Sequence, residues 1–461
     1  MSLNAGYLQC RIHPCRIYSN KKTCRSATNY NQMFLLHVFL LNLTLSILKI
    51  KAKATLFYYC IKLIARCSLL FFFRRKIRCG FPLHSLKGPA IIASNHPNSL
   101  LDAVVIACQC RQPVHFTIRS DMFNNPVFRF LLKNLNGIPV YRASEEKEKL
   151  RENFNSIDLC RSVLKKNGII IIFSEGITLH DWKLKPIKSV TARIVQHALA
   201  DPQLAQTLQV IPVGLTYSDY EHPAKTIIIH TGESFYPGKL LHSEHTGVWK
   251  QAFNSMLHQR LQPLIPSMTK DERAAKLIWQ SVITNITATD NCNVCMKHLQ
   301  HTGSIITVTD TEPAIAQKIK TPFFLPHFIA CCKSYFAAVL FGIPALAGLL
   351  LNSLFYFPVT NFTKKKTKNT IFYDSLFVGL LTMLYPVYIL IVAVLLAYFT
   401  GIPLALWVVV IPLCGWCTIQ FWVYALKIKN YLTLTALERK YMQELINGME
   451  YNAASNVKGE T

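Results

Sequence analysis

Two uncharged apolar stretches near the C-terminus, Ser375–Phe399 and Ile402–Leu426, constrain what this chain can fold into more than any other feature. Each exceeds the roughly 20 residues that a hydrocarbon core requires, so together they read as a transmembrane hairpin turning at Thr400–Gly401. Lys364, Lys365, Lys366 and Lys368 precede the hairpin, and Lys427 and Lys429 follow it, so positive-inside bias puts both flanks in the cytoplasm. A third uncharged stretch lies between Lys333 and Lys364, interrupted by Gly342, Pro344 and Gly348 and closed by Pro358. Breakers near its middle predict a re-entrant pair of half-helices; a full span would put the preceding region on the opposite side.

Charge points to the same solvent. The chain carries 50 Lys+Arg against 24 Asp+Glu, a formal net charge of +26. The first 101 residues hold 15 Lys/Arg and no acid, the first being Asp102. Polyanions, either nucleic acid or anionic lipid, are the partners such a balance fits. The basic tract is interleaved with apolar runs such as Ala54–Phe73, which contains Lys62 and Arg66 and is followed by Arg74, Arg75, Lys76 and Arg78. That pattern predicts an amphipathic helix over 54–80 with its cations toward lipid headgroups, and no nucleic-acid motif accompanies it. Met33–Leu48 is a candidate anchor somewhat short of a full span, while residues 1–32 show no periodicity, leaving a start at Met33 and a functional leader both open. The cysteines, Cys60, Cys67, Cys331, Cys332, Cys414 and Cys417 among them, are dispersed in apolar segments and imply no disulfide framework.

Between the ends, short β-rich runs alternate with helical patterns. Strands are expected at Ala90–Ser94, Val114–Ile118, Ile169–Phe173, Val210–Tyr217 and Thr226–His230. Helices are expected at Leu100–Cys110, Pro126–Asn134, Glu145–Lys166, Lys188–Ala200 and Val248–Leu261. The interleaving indicates an α/β domain whose functional residues gather at strand ends. The organisation that follows is a leader or anchor over 1–53, the membrane-approach helix over 54–80, an α/β domain over 81–320, a membrane region over 321–430 and a cytoplasmic tail over 431–461.

The sharpest local feature is Ser94-Asn95-His96-Pro97-Asn98-Ser99-Leu100-Leu101-Asp102, between an apolar strand and an apolar helix. Pro97 suits a first helical position, and residues six apart on one regular helix face different ways, so a His96–Asp102 contact requires the loop to fold the histidine back. Given that bend, the carboxylate fixes the imidazole tautomer and stabilises its protonated form, as a general base needs. The alternative is a histidine beside a helix start and an unrelated acid. A rival cluster, Cys292, Cys295, His298 and His301, repeats every three residues; a continuous helix at that spacing does not close on one ion, so no metal site is expected. Ser99 and Ser174 lack the Gly-x-Ser-x-Gly setting of a nucleophile elbow.

Four blocks in order resemble the phospholipid/glycerol acyltransferase family. Asn95–Asp102 is similar to its His/Asp box, here with five residues between histidine and aspartate rather than four. Gly137-Ile138-Pro139-Val140-Tyr141-Arg142 resembles its glycerol-phosphate-binding block. Phe173-Ser174-Glu175-Gly176, followed by Pro186-Ile187-Lys188, resembles its Phe-Pro-Glu-Gly block and the basic element downstream. Val210-Ile211-Pro212-Val213-Gly214 resembles its apolar Pro block. Ser174 stands where the family has proline and Thr178 where many members carry arginine, with Lys183, Lys185 and Lys188 near enough in sequence to supply cations.

The resemblance implies an acyltransferase-type α/β domain with a mixed sheet, attached to C-terminal transmembrane helices. It implies transfer of a fatty acyl group from acyl-CoA or acyl carrier protein to glycerol-3-phosphate or 1-acylglycerol-3-phosphate, with no cofactor beyond that donor. His96 is the expected base and Asp102 its orienter; Asn95, Gly137, Arg142, Glu175, Gly176 and Lys188 are the expected substrate-binding residues. The implied partners are membrane lipid, a glycerol-phosphate or lysophosphatidic acid acceptor and an acyl thioester, with no nucleic acid. The expected place is a membrane, with the catalytic domain facing the cytoplasm and the hairpin serving as anchor. A lysophospholipid-remodelling acyltransferase or transacylase, and a non-catalytic lipid-binding membrane protein, are the alternatives.

Overall fold

Period-two burial builds the centre of the molecule. In the computed structural model, Ile91, Ala93, Ile170 and Ile172 turn to one face of a sheet and Ala90, Ile92, Ile169 and Ile171 to the other. The structure describes residues 56–140, 147–220, 224–240, 245–268, 273–285, 299, 311–319, 321–325, 328–368 and 370–456. Seven strands form one mixed sheet: β1 (Phe73–Gly80), β2 (Ala90–Ser94), β3 (Val114–Arg119), β4 (Gly137–Val140), β5 (Ile169–Phe173), β6 (Gln209–Tyr217) and β7 (Lys225–Thr231). Their spatial order is β1-β7-β6-β2-β5-β3-β4, and all neighbours are parallel except β6 and β7. Both central strands carry apolar residues on both faces, as a sheet covered on each side demands.

The helices that flank it are α1 (Leu56–Phe72), α2 (Leu100–Gln109), α3 (Pro126–Asn134), α4 (Lys147–Lys165), α5 (Ser189–Leu199), α6 (Thr246–Leu261) and α7 (Arg273–Asn285). One face is covered by α4, α5 and α6 through Cys160, Leu164, Val195, Phe253 and Leu257. The other is covered by α1, α2 and α7 through Leu69, Ile106 and Trp279, and the core there runs on into Phe355, Val359 and Phe377 of the C-terminal helices. Three of those are long and apolar enough to cross a membrane: α8 (Phe328–Lys366), α9 (Tyr373–Thr400) and α10 (Leu404–Thr433). A more polar helix, α11 (Ala436–Asn456), follows.

Three expectations are corrected. The basic helix expected over 54–80 ends at Phe72, and Phe73–Gly80 is an edge strand along β7, with Ile77 and Cys79 buried on either side of exposed Arg78. Lys62 is buried, and the loop that ends α2 takes up both it and Arg66. The Lys62 ammonium donates to the carbonyl of Cys110 at 2.7 Å and Arg66 Nε to that of Cys108 at 3.0 Å, so both cations satisfy the orphan carbonyls at the negative end of α2. The stretch expected to be re-entrant is one uninterrupted helix, α8, with Pro344 and Pro358 inside it. Contacts with α10 outweigh the breakers: Thr418 Oγ1 donates to the carbonyl of Ala345 at 2.9 Å and Asn352 Nδ2 to that of Ile411 at 3.2 Å.

Among the cysteines, Cys60, Cys67, Cys331, Cys332, Cys414 and Cys417 are free, as expected, whereas Cys79 is disulfide-bonded. Met33–Leu48 and the Cys292/Cys295/His298/His301 cluster lie outside the described residues.

Candidate active site

The carboxyl ends of β2, β4, β5 and β6 lie on one side of the sheet, where ligands of open α/β sheets bind. The loop leaving β2 does fold His96 back. Its Nδ1 lies 2.9 Å from Asp102 Oδ2, the same oxygen that accepts the N–H of Asn98 at 2.8 Å. The other oxygen accepts the hydroxyl of Tyr217, from the end of β6, at 2.7 Å. Burial, and next the Asp102 charge, push the Tyr217 phenol well above its ordinary range, so it stays a donor. A carboxylate accepting from three donors assigns the ring proton to Nδ1 and leaves Nε2 with the lone pair. The imidazole stacks on Phe173 at 3.9 Å between ring centroids, 10° from parallel, and its side chain is 19% exposed while Asp102 is fully buried.

Tyr217 was not foreseen, because a phenol at the end of an apolar strand reads as core. Its oxygen meets Asp102 across 115 residues of sequence.

Asn95 and Glu175, expected to bind substrate, are engaged by the backbone that shapes the site. The Asn95 amide donates to the carbonyl of Leu215 at 2.9 Å and accepts its N–H at 2.8 Å, bridging β2 to β6. Glu175 accepts the N–H of His96 at 2.9 Å and that of Lys185 at 2.8 Å, which ties the histidine loop to the turn after β5. Burial raises the Glu175 carboxyl above its ordinary range, against the pull of the Lys185 charge and these two N–H groups. Ser174 bonds Thr191 of α5 at 2.9 Å, so its hydroxyl pins the same turn.

Gly176 sits at φ 66°, the left-handed region, with the Lys188 stem lying over it. Lys188 is exposed at the start of α5, and among the described residues its ammonium has no ion-pair partner. Of the other two candidate cations, Lys185 is buried, its ammonium on the carbonyl of Leu179, and Lys183 lies 3.6 Å from Asp181. Gly137 opens β4 where an added Cβ would lie 2.9 Å from the carbonyl of Leu132, so its place is fixed by close packing. Arg142 lies outside the described residues, two positions beyond the end of β4.

The long apolar helices reach the site. The first turn of α9 bonds the histidine loop through Asp374 and Ser375, and the His180 ring, stacked on Tyr220, bonds the carbonyl of Ile371 just before that helix at 3.1 Å. Burial lowers the His180 imidazole to about 4, which keeps it neutral and able to donate there. The hairpin is therefore more than the anchor it was expected to be, and its apolar run starts two residues earlier, taking in a buried acid.

Residues 73–216 match the family model described as Acyltransferase, which spans the sheet from β1 into β6 and contains Asn95, His96, Asp102 and Glu175 but stops one residue short of Tyr217. No curated protein matches the chain. Among solved structures, the 1-acyl-sn-glycerophosphate (LPA) acyltransferase PlsC from Thermotoga maritima is similar at 16% identity and a TM-score of 0.33, over 48% of this chain and 88% of that one.

Proposed function

We propose that this chain is a membrane O-acyltransferase that moves a fatty acyl group from acyl-CoA or acyl carrier protein to a hydroxyl of glycerol-3-phosphate or 1-acylglycerol-3-phosphate. The observation that carries this reading is the partly exposed His96 ring, held at Nδ1 by a fully buried Asp102 and, among the described residues, uncommitted at Nε2. A base so held takes the proton of an acceptor hydroxyl as its oxygen attacks the thioester carbonyl. The imidazolium that forms faces the Asp102 charge. Collapse of the tetrahedral intermediate breaks the C–S bond, and the proton passes from Nε2 to the departing thiolate, so the base is regenerated and no cofactor is needed. The acceptor phosphate falls to Arg142, whose planar fork suits it, and to Lys188 beside the Gly176 turn. The three apolar helices keep the acyl chains in lipid while this end of the sheet holds the polar groups. The histidine loop and His180 bond the start of α9, just past the lysines at 364–366 and 368, and positive-inside bias at those lysines supports a cytoplasmic face for this end of the sheet.

One observation favours a second reading. Of Lys183, Lys185 and Lys188 only the last is both exposed and unpaired among the described residues, a sparse phosphate site that a choline-bearing lysophospholipid would also tolerate. Membranes containing the protein are to be offered labelled glycerol-3-phosphate, 1-acylglycerol-3-phosphate and lysophosphatidylcholine separately, with His96→Ala as the blank. A phosphate-terminated acceptor should be acylated, and Lys188→Met should raise its KM about tenfold, the worth of one charge-assisted hydrogen bond. Acylation of the choline lipid alone, indifferent to Lys188, supports the remodelling reading; equal inactivity of wild type and blank with both donors rejects catalysis.

A further inference from the structure

Ser99, in the middle of the histidine loop, has φ 51° and ψ −135°, a conformation that residues with side chains rarely adopt. Such strain persists only where the surroundings over-determine it. Here the surroundings include the membrane hairpin. Ser375 Oγ accepts the N–H of Leu101 at 3.2 Å and donates to the carbonyl of Asn98 at 3.2 Å, bracketing Ser99 on both sides. The preceding residue, Asp374, accepts Asn98 Nδ2 at 2.6 Å on the same oxygen that meets the ammonium of Lys225 at the start of β7. Asp374 and the Lys225 ammonium are fully buried. Asn98 in turn gives its N–H to Asp102 Oδ2, the oxygen on His96.

We propose that Asp374 and Ser375 are positioning residues for His96, so that the catalytic histidine is held in place only with the membrane helix docked on the loop. This rests on the reading of His96 as base. An anchor has no need of these groups: a buried ion pair contributes little stability over an apolar pair of similar volume. The Asp374–Lys225 pair also leaves Asp374 Oδ1 and Asn98 Oδ1 buried without a hydrogen-bond partner among the described residues. What the arrangement supplies is geometry. Two consecutive side chains of α9 grip a loop more than 270 positions earlier in sequence at three points.

The test uses the full chain in lipid nanodiscs with three variants: Ser375→Ala, Ser375→Thr, and the paired Asp374→Leu/Lys225→Met, which leaves no buried charge unpaired. Each is measured for kcat and KM, for its unfolding midpoint, and for the rate at which diethyl pyrocarbonate modifies His96, read by mass spectrometry. Loss of orientation predicts kcat down about tenfold in Ser375→Ala and about 100-fold in the paired variant, with KM unchanged. His96 should be modified several-fold faster in both, the midpoint should hold, and Ser375→Thr should restore turnover and slow modification. A kcat and modification rate at the wild-type value in Ser375→Ala and the paired variant overturn the proposal, as does a loss of kcat that only follows a falling midpoint. If wild type and His96→Ala are equally inactive, the acyltransferase reading falls, and the modification rates still decide whether α9 holds the histidine.

Discussion

His96→Ala should lower kcat by about 10²–10⁴, the range of a positioned general base, with the acceptor KM and the unfolding midpoint little changed. The midpoint should hold because the ring's contacts are one stacking partner, Phe173, and one carboxylate oxygen. Asp102→Asn should cost clearly less. Two donors meet at the Oδ2 position, one of them the backbone N–H of Asn98, which cannot be reversed. The third donor, the Tyr217 hydroxyl, can rotate to accept. The asparagine oxygen therefore settles at the Oδ2 position and the amide nitrogen toward Tyr217, so the ring keeps its Nδ1 proton and Nε2 stays a base. Only the charge that steadies the imidazolium is gone, a loss of about tenfold to 100-fold. Adding Tyr217→Phe takes away the acceptor of the asparagine amide and leaves its N–H buried without a partner, so stability should fall further while the rate changes little. Steady-state kinetics and thermal unfolding of the four proteins check this; an Asp102→Asn enzyme as slow as His96→Ala would show that the ring had reversed its tautomer.

The parts of the molecule legible in the sequence are those whose causes are local. The runs Ala90–Ser94 and Ile169–Phe173 occur as read, because a short β-branched or small apolar run leaves few other ways to bury itself. Pro126–Asn134 does too, its start fixed by Pro126 and by Asn125, whose side chain caps the first turn. The bend that brings His96 onto Asp102 was legible only as a condition: residues six apart on a regular helix face different ways, so a contact required it, and the sequence left an unrelated acid as the alternative. Phe73–Gly80 was misread because four of its eight residues are cations, which hide a two-residue alternation visible only at Ile77, Arg78 and Cys79. Lys62 and Arg66 show the same limit from the other side. Their partners are backbone carbonyls 48 and 42 positions away, and a carbonyl end carries no sequence signature. Asp374 stands one position before the apolar run that begins at Ser375, and nothing local marks it as the residue that meets both Asn98 and Lys225.

Gly348→Leu should be among the most damaging substitutions outside the site, because α8 and α10 meet there at backbone distance. A Cβ at this position would lie 2.0 Å from the carbonyl oxygen of Cys414 and 2.4 Å from Thr418 Oγ1. In lipid no hydrophobic driving force holds two helices together, so close approach of small residues and hydrogen bonds between helices must do so. Both are lost when the axes separate. Thr418 leaves the carbonyl of Ala345, and Asn352, which also accepts the Tyr385 hydroxyl of α9 at 2.7 Å, leaves that of Ile411. A destabilisation of about 3 kcal/mol is expected from overpacking at an unyielding backbone contact. Gly342→Leu on the same helix is the control, since an added Cβ there meets nothing within 4 Å and should change stability by less than about 0.5 kcal/mol. Unfolding of the two variants in nanodiscs separates a close helix contact at Gly348 from a general intolerance of leucine along α8. Because Tyr385 belongs to the helix whose first turn grips the histidine loop, the Gly348→Leu enzyme should also lose acyl transfer at temperatures where wild type is folded, while Gly342→Leu retains it.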